Sequence, residues 1–243
     1  MKTVAIIQAR MGSTRLPGKI MMKLKEKTVL NHVIERVQQS REIDEIIVAT
    51  TVLKEDDVVE VEAKRYGVKV FRGSSENVLE RYYQAAVSSD ADHIVRITSD
   101  CPLIDHKIID DIICKYKMIN VDIMNNTGVN VNERTYPRGL DVEIFPFESL
   151  EKAFHNAYKK YQLEHVTPYI YENSNSTDIY KSDVNHSNLR LTLDTLEDYN
   201  LLEKIYLKLY HGQHNFFLDD VLNFLKNNPN LLLVNCHVEQ KKI

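Results

Sequence analysis

Tryptophan is absent from this 243-residue chain, and cysteine, proline and glycine are sparse, with three, six and seven copies. Each shortage excludes something. Cys101, Cys114 and Cys236 have no paired spacing, so neither a disulfide framework nor a zinc site is readable, and they fit a reducing compartment as packing residues. No G-x-G-x-x-G occurs anywhere, which removes the dinucleotide fingerprint. No apolar run approaches the roughly 20 residues that span a bilayer. The amino-terminal MKTVAIIQAR is also too short in apolar length for a signal peptide. The expectation is a cytoplasmic protein without a membrane partner. Nor is there an excess of positive charge: the formal net charge of −4 argues against general affinity for nucleic acid. No internal repeat or low-complexity tract is present.

What is present is a chain with 43% hydrophobic and 27% charged residues, enough for one substantial core. We expect a single domain, 1–243, with an insertion over 121–188. The charge is unevenly spread. Up to Lys27 there are seven basic residues (Lys2, Arg10, Arg15, Lys19, Lys23, Lys25, Lys27) against Glu26 alone, so this segment carries +6 and the remainder −10. An acidic protein with a cationic first loop is suited to holding a compact anion at one place.

That loop follows a strand. Thr3 to Gln8 are apolar and β-prone, and the chain breaks at Gly12 and at Pro17-Gly18. Between the breaks, Arg10, Arg15 and Lys19 lie beside Gly12, Ser13 and Thr14, so backbone N–H groups, hydroxyls and three cations can converge on a triphosphate. A Walker P-loop is excluded, because five residues including Pro17 separate Gly12 from Gly18-Lys19 and the next residue is Ile20.

Strand and helix then alternate: a helix over Thr28 to Ser40 with Thr28 as its cap, a strand over Glu45 to Thr50, and a helix over Asp56 to Tyr66. A strand over Gly67 to Phe71, a helix over Ser75 to Ser88 and the strand His93 to Thr98 follow. This pattern predicts an α/β fold, a Rossmann-like, mostly parallel sheet flanked by helices, with ligands beyond the carboxyl ends of the strands. After a helix over Asp105 to Lys117 the order changes. Strands are expected over Val121 to Thr127 and Leu140 to Phe145, separated by a polar stretch from Gly128 to Gly139. Helices are expected over Phe147 to Tyr161 and Glu164 to Glu172, then a loop with one short strand over Asn173 to Asn188. A last strand, Leu189 to Leu193, and helices over Leu196 to Tyr210 and Leu218 to Lys226 complete the chain. His211 and His214, three apart, could ligate a metal, but without a nearby acid on that face they read as surface residues.

The first loop, together with SDCPLID (Ser99 to Asp105), PRGLDVEIF (Pro137 to Phe145), EHVTPYIY (Glu164 to Tyr171) and LDTLEDYN (Leu193 to Asn200), resembles the nucleotidyltransferases that activate sugars. The resemblance is to the cytidylyltransferases that make CMP-linked keto-acid sugars and to their spore-coat polysaccharide relatives. It implies a nucleotide-diphospho-sugar transferase fold of GT-A-like form, with an inserted acceptor and dimerisation region and a homodimeric assembly. The implied reaction transfers CMP from CTP to a small acidic acceptor with Mg²⁺ as cofactor.

The resemblance also distributes roles. Arg10, Arg15 and Lys19 hold the triphosphate, with the Gly12 and Ser13 amides on its α and β positions. Asp100 and Asp194 match the two metal-binding aspartates, each at a strand end. Two carboxylates about 4 Å apart without a cation repel by roughly 4 kcal/mol at an effective dielectric of 20, so a metal between them is the economical explanation. Asp194 also fits a helix N-cap, a role that ranks below metal ligation and does not exclude it. Base and ribose fall to the main chain at Gln8 and Ala9, to Ser99, and to the turn with Ser74, Ser75 and Asn77, whose backbone Arg81 anchors; Ser74 to Glu76 is also a good helix start. For the acceptor, Arg138 suits a carboxylate or phosphate, and Asp141 and Glu143, two apart in a strand, suit hydroxyls from one face. Glu164 and His165 match the family's EH pair, and His165 reads equally as an acceptor contact or as a hydrogen-bonded helix residue. The alternatives are a glycosyltransferase consuming a nucleotide-sugar, disfavoured by the lack of a D-x-D after the fourth strand, and a nucleotide-sensing module without turnover.

Overall fold

The computed structural model describes residues 1–128 and 131–240. Val129 and Asn130, within the polar stretch assigned to the insertion, lie outside the described residues, as do 241–243.

In chain order the elements are β1 (Thr3–Gln8), a 3-10 turn (Lys19–Met21), a short hairpin of β2 (Lys23–Leu24) and β3 (Lys27–Thr28), α1 (Val29–Val37), β4 (Glu45–Thr51) and α2 (Asp57–Arg65). Next come β5 (Lys69–Gly73), α3 (Val78–Val87), β6 (His93–Thr98), α4 (His106–Met118), β7 (Ile123–Asn125), β8 (Glu143–Pro146) and α5 (Phe147–Asn156). α6 (Lys160–His165), α7 (Pro168–Asn173), β9 (Thr177–Ile179), α8 (Leu196–Leu209) and α9 (Leu218–Asn227) finish the chain.

The seven-stranded sheet runs β5-β4-β1-β6-β8-β7-β9. β1 sits inside it, parallel to β4 and β6, with Ile6 opposite Ile47 on one side and Arg96 on the other. Val4 to Ile7 are fully buried, as expected of a parallel strand covered on both faces. Within this sheet, among the described residues, only β8 runs against its neighbours, antiparallel to β6 and β7. Apolar clusters cover the two faces, one gathering α1, α2 and α4, the other α3 and α5. A third cluster packs α8 and α9 against Leu24, Val29, Leu103, Leu191 and Leu193. Among the described residues no helix is long and apolar enough to cross a membrane.

Several helix starts follow from their caps. The Thr28 hydroxyl accepts from the Asn31 amide at 3.1 Å, and Asp105 caps α4 through the Lys107 amide at 3.0 Å. Three expectations need correction. Residues 189–193 form no strand of the sheet: they make one isolated bridge, Arg190 with Arg138, the chain bends at Thr192, and the Leu193 amide donates to the Asp100 carbonyl at 2.8 Å. The helix expected over Phe147 to Tyr161 is two helices, because Ala157 and Lys159 are extended. His214 is buried, not a surface residue. Its Nε2 lies 3.2 Å from His32 Nδ1 and 3.2 Å from a Glu35 carboxylate oxygen, while His32 Nε2 contacts the Leu24 carbonyl at 2.8 Å. Burial holds His32 down to about 4 and His214 down to about 2, so both imidazoles are neutral. This cluster ties the segment before α9 to α1.

Candidate active site

The loop after β1 is clamped at its base. The Met11 amide donates to the buried Asp56 carboxylate at 2.6 Å, and the Met11 carbonyl accepts from the amides of Ser13 at 2.8 Å and Gly18 at 3.0 Å. Gly18 closes the turn with φ 69°, a left-handed conformation that glycine adopts without a Cβ penalty. Thus held, Gln8 to Arg10, Gly12 to Arg15 and Lys19 form one wall of a cleft at the carboxyl ends of β1 and β6. Val78 and Arg81 of α3, Ile20, Thr98 to Asp100, Glu164 and His165 at the end of α6, and Asp194 form the rest.

At one side of this cleft two carboxylates share a single ammonium. Lys19 Nζ donates to Asp100 Oδ2 at 2.7 Å, to Asp194 Oδ1 at 2.8 Å and to the Leu193 carbonyl at 2.8 Å. Burial alone would lower the Lys19 pKa, but the two aspartates outweigh it and the net shift is upward. For Asp194 burial pushes upward, and Lys19, Arg15 and Arg190 outweigh it, so the net shift is downward. Asp194 Oδ2 meets Arg15 at 2.8 Å and Arg190 at 2.8 Å. The other Asp100 oxygen accepts from the Thr98 hydroxyl at 2.6 Å. Where sequence reasoning put a metal between the two acids, the structure has the Lys19 ammonium. Hard oxygen donors that already converge on one cation-sized point also fit Mg²⁺, which takes one or two protein carboxylates and fills its remaining positions with phosphate and water. Asp194 is not the cap of α8, because Thr195 fills that position in a capping box with Asp198.

Other named residues are placed as follows. Arg10 is exposed on the cleft wall. Arg81 is buried, and its Nη1 donates to the Ser74 carbonyl at 2.6 Å, anchoring that turn. Ser74, Ser75 and Asn77 do not line the cleft. Ser74 Oγ accepts from the Glu76 and Asn77 amides at 3.2 and 3.1 Å, and Asn77 caps α3 through the Glu80 amide at 3.0 Å. Ser99, Glu164 and His165 are brought to the cleft.

Arg138, Asp141 and Glu143 are not among the residues around it. Arg138 borders a separate cavity with Arg190, Asn235 and Gln240. Asp141 precedes β8 and pairs with Arg134 at 2.6 Å. Glu143 is buried, pairing with Arg96 at 2.6 Å and accepting from the hydroxyls of Tyr171 at 2.8 Å and Thr167 at 3.1 Å. Asp141 and Glu143 therefore do not present one shared face. Sequence reasoning missed Thr98, Arg190 and Asp198. For the last two a signal existed, since Arg190, Asp194 and Asp198 recur at every fourth position.

The family model described as Cytidylyltransferase matches residues 4–226. A protein of Methanocaldococcus jannaschii is 40% identical over 247 aligned positions, covering 99% of this chain and 97% of its own. The spore coat polysaccharide biosynthesis protein SpsF of Bacillus subtilis is 29% identical, covering 92% of this chain and 94% of its own. Among solved structures, a cytidylyltransferase from Leptospira borgpetersenii superposes with a TM-score of 0.88 at 36% identity, covering all of both chains.

Proposed function

The chain belongs to the cytidylyltransferase family, and from that premise we propose that it transfers CMP from CTP to an oxygen of a small acidic sugar or related acceptor, with Mg²⁺, releasing pyrophosphate. The single observation that carries the reading is the Lys19 ammonium held between Asp100 and Asp194 at the rim of the sheet. It joins the phosphate-binding cations to the acids of the same cleft. In this reading the acceptor oxygen forms a bond to the α-phosphorus of CTP, and the bond from that phosphorus to the β-phosphate oxygen breaks. The acceptor proton passes to solvent. Arg10, Arg15 and Lys19 bind the triphosphate, and Arg15 and Lys19 follow the charge that builds on the departing pyrophosphate.

Asp100 and Asp194 are the residues that would hold Mg²⁺, which supplies charge neutralisation on phosphate oxygens and lowers the pKa of an oxygen ligand. Glu164 and His165 are the acceptor-side residues nearest this chemistry. Arg138, Asp141 and Glu143 contribute, on this reading, only through the shape of the inserted region. We propose one domain, 1–243, whose insertion over 121–188 builds the acceptor side and a homodimer contact. The likeness to SpsF supports a product that enters a surface polysaccharide.

The test is incubation with CTP, Mg²⁺ and a panel of acidic sugars, reading pyrophosphate release. Release that depends on both CTP and one acceptor is the expected result. Turnover only of preformed nucleotide-sugars overturns the proposal.

A further inference from the structure

Behind Asp194 stands a carboxylate that touches neither the cleft nor solvent. Asp198 is fully buried in the first turn of α8. Its Oδ1 accepts from Arg190 Nε at 2.8 Å and from Asn235 Nδ2 at 2.9 Å. Its Oδ2 accepts from Arg190 Nη2 at 2.9 Å, from the Asp194 amide at 2.9 Å and from the Thr195 amide at 3.1 Å. Five donors saturate a carboxylate that has about four lone-pair sites, so this side chain has no freedom to turn. Arg190 is fixed in turn: two of its nitrogens fork onto Asp198, and Nη1 donates to Gln240 Oε1 at 2.6 Å. The same Nη2 that meets Asp198 also donates to Asp194 Oδ2 at 2.8 Å.

An ordinary helix cap would need only the amide bonds to Asp198. It would not need a planar guanidinium shared between Asp198 and Asp194, and a lysine could not span the two with a fixed fork. With Oδ2 taken by Arg190 and Arg15, the oxygen of Asp194 left facing Asp100 is Oδ1.

We infer that Asp198, acting through Arg190, is the positioning residue of this site: it sets the rotation of the Asp194 carboxylate so that one oxygen, Oδ1, is offered toward Asp100. The inference rests on the reading of Asp194 as a divalent-metal ligand. Residues that orient metal ligands from behind typically change metal affinity by about 10- to 100-fold when altered.

The experiment uses the full chain and follows free Mn²⁺ by electron paramagnetic resonance with CTP present and no acceptor. CTP binding without metal is measured separately by competition, and folding by circular dichroism. Arg190→Lys and Asp198→Asn are expected to weaken Mn²⁺ binding about tenfold or more, while metal-free CTP affinity stays within about twofold. A structural defect alone would weaken both together, and that outcome, like unchanged Mn²⁺ binding in folded variants, overturns the inference. If both variants fail to fold, Asn235→Ala decides. It removes one donor to Asp198 and is expected to weaken Mn²⁺ binding in the same selective way by a smaller factor, so an unmoved value overturns the inference. Wild-type protein that binds no Mn²⁺ with CTP overturns the metal reading itself. Normal wild-type binding with unmoved variants overturns only the positioning role.

Discussion

Asp194 meets Lys19 from the opposite end of the chain, its Oδ1 2.8 Å from the ammonium. The contact is well shielded, each side chain being only 12% exposed, so screening by salt is weak. Asp100 shares the same ammonium. The first loop and the segment before α8 are thereby held to one cleft.

Replacing that ammonium separates the roles of a protein cation and a metal. Lys19→Ala leaves two carboxylates facing each other and removes charge-assisted hydrogen bonds worth about 2 kcal/mol. We expect a lower Tm and a raised KM for CTP. We also expect Mg²⁺ alone, without nucleotide, to raise the Tm of this variant more than that of the wild type. Equal Mg²⁺ responses in the two proteins would refute it.

Stability should fall in acid in two stages. His32, with its pKa lowered by burial to about 4, binds a proton more readily when unfolded. Its contribution is therefore complete above the unfolded value of about 6.5 and is lost as pH falls from there toward 4, of the order of 3 kcal/mol in all. His214, lowered further by burial, acts in the same direction. Asp194, whose pKa is depressed because its three cations outweigh burial, adds a second loss once pH drops below the ordinary aspartate value of about 4. Denaturant midpoints measured from pH 8 to 3 should decline from about 6.5 downward. His32→Asn, destabilised overall, should show a flatter limb between pH 6.5 and 4, and an unaltered slope would remove His32 as the cause.

Glu143 offers a direct choice between a structural and an acceptor role. Breaking its buried pair with Arg96 by Glu143→Ala should cost about 3 to 5 kcal/mol, because a guanidinium is left without its partner. Placing Met at both positions should recover much of that loss. Urea melts read the stability. A wild-type Tm for Glu143→Ala combined with a raised acceptor KM would reverse the assignment.

Gly139 carries φ +98°, and a Cβ there would stand 2.5 Å from the Leu191 carbonyl carbon and oxygen and 2.6 Å from the Thr192 nitrogen. All three are backbone atoms, so the segment leading to Asp194 has to move. Gly139→Ala should cost about 3 kcal/mol from strain and overpacking together, and turnover measured well below its Tm should fall as well. Wild-type turnover in the variant would show that the Asp194 segment tolerates the shift.

Much of this was legible in the residues. β1 announces itself as a continuous apolar run and β6 as a β-prone run broken only by Arg96, and the glycines and proline after β1 mark the loop that gathers the cations. Asp100 and Asp194 were readable as acids at the ends of extended segments. Long-range partners were not. Nothing local to Lys19 says that it lies between two carboxylates more than 80 residues away, or that His214 meets His32 in the interior. Residues 189–193 have the composition of a strand, yet their backbone bonds go to Arg138 and Asp100. Alternation along 140–145 put Asp141 and Glu143 on one face, but the strand begins only at Glu143.

The sheet order also has a consequence for biosynthesis. β1, with the cationic loop behind it, and β4, β5 and β6 are all synthesised before residue 99, and they are neighbours in the finished sheet. The carboxylate at 194 and its buried support at 198 emerge only when four fifths of this chain has been made. A nascent chain that stalls midway therefore carries the cations of the cleft without the second acid on which the proposed transfer depends.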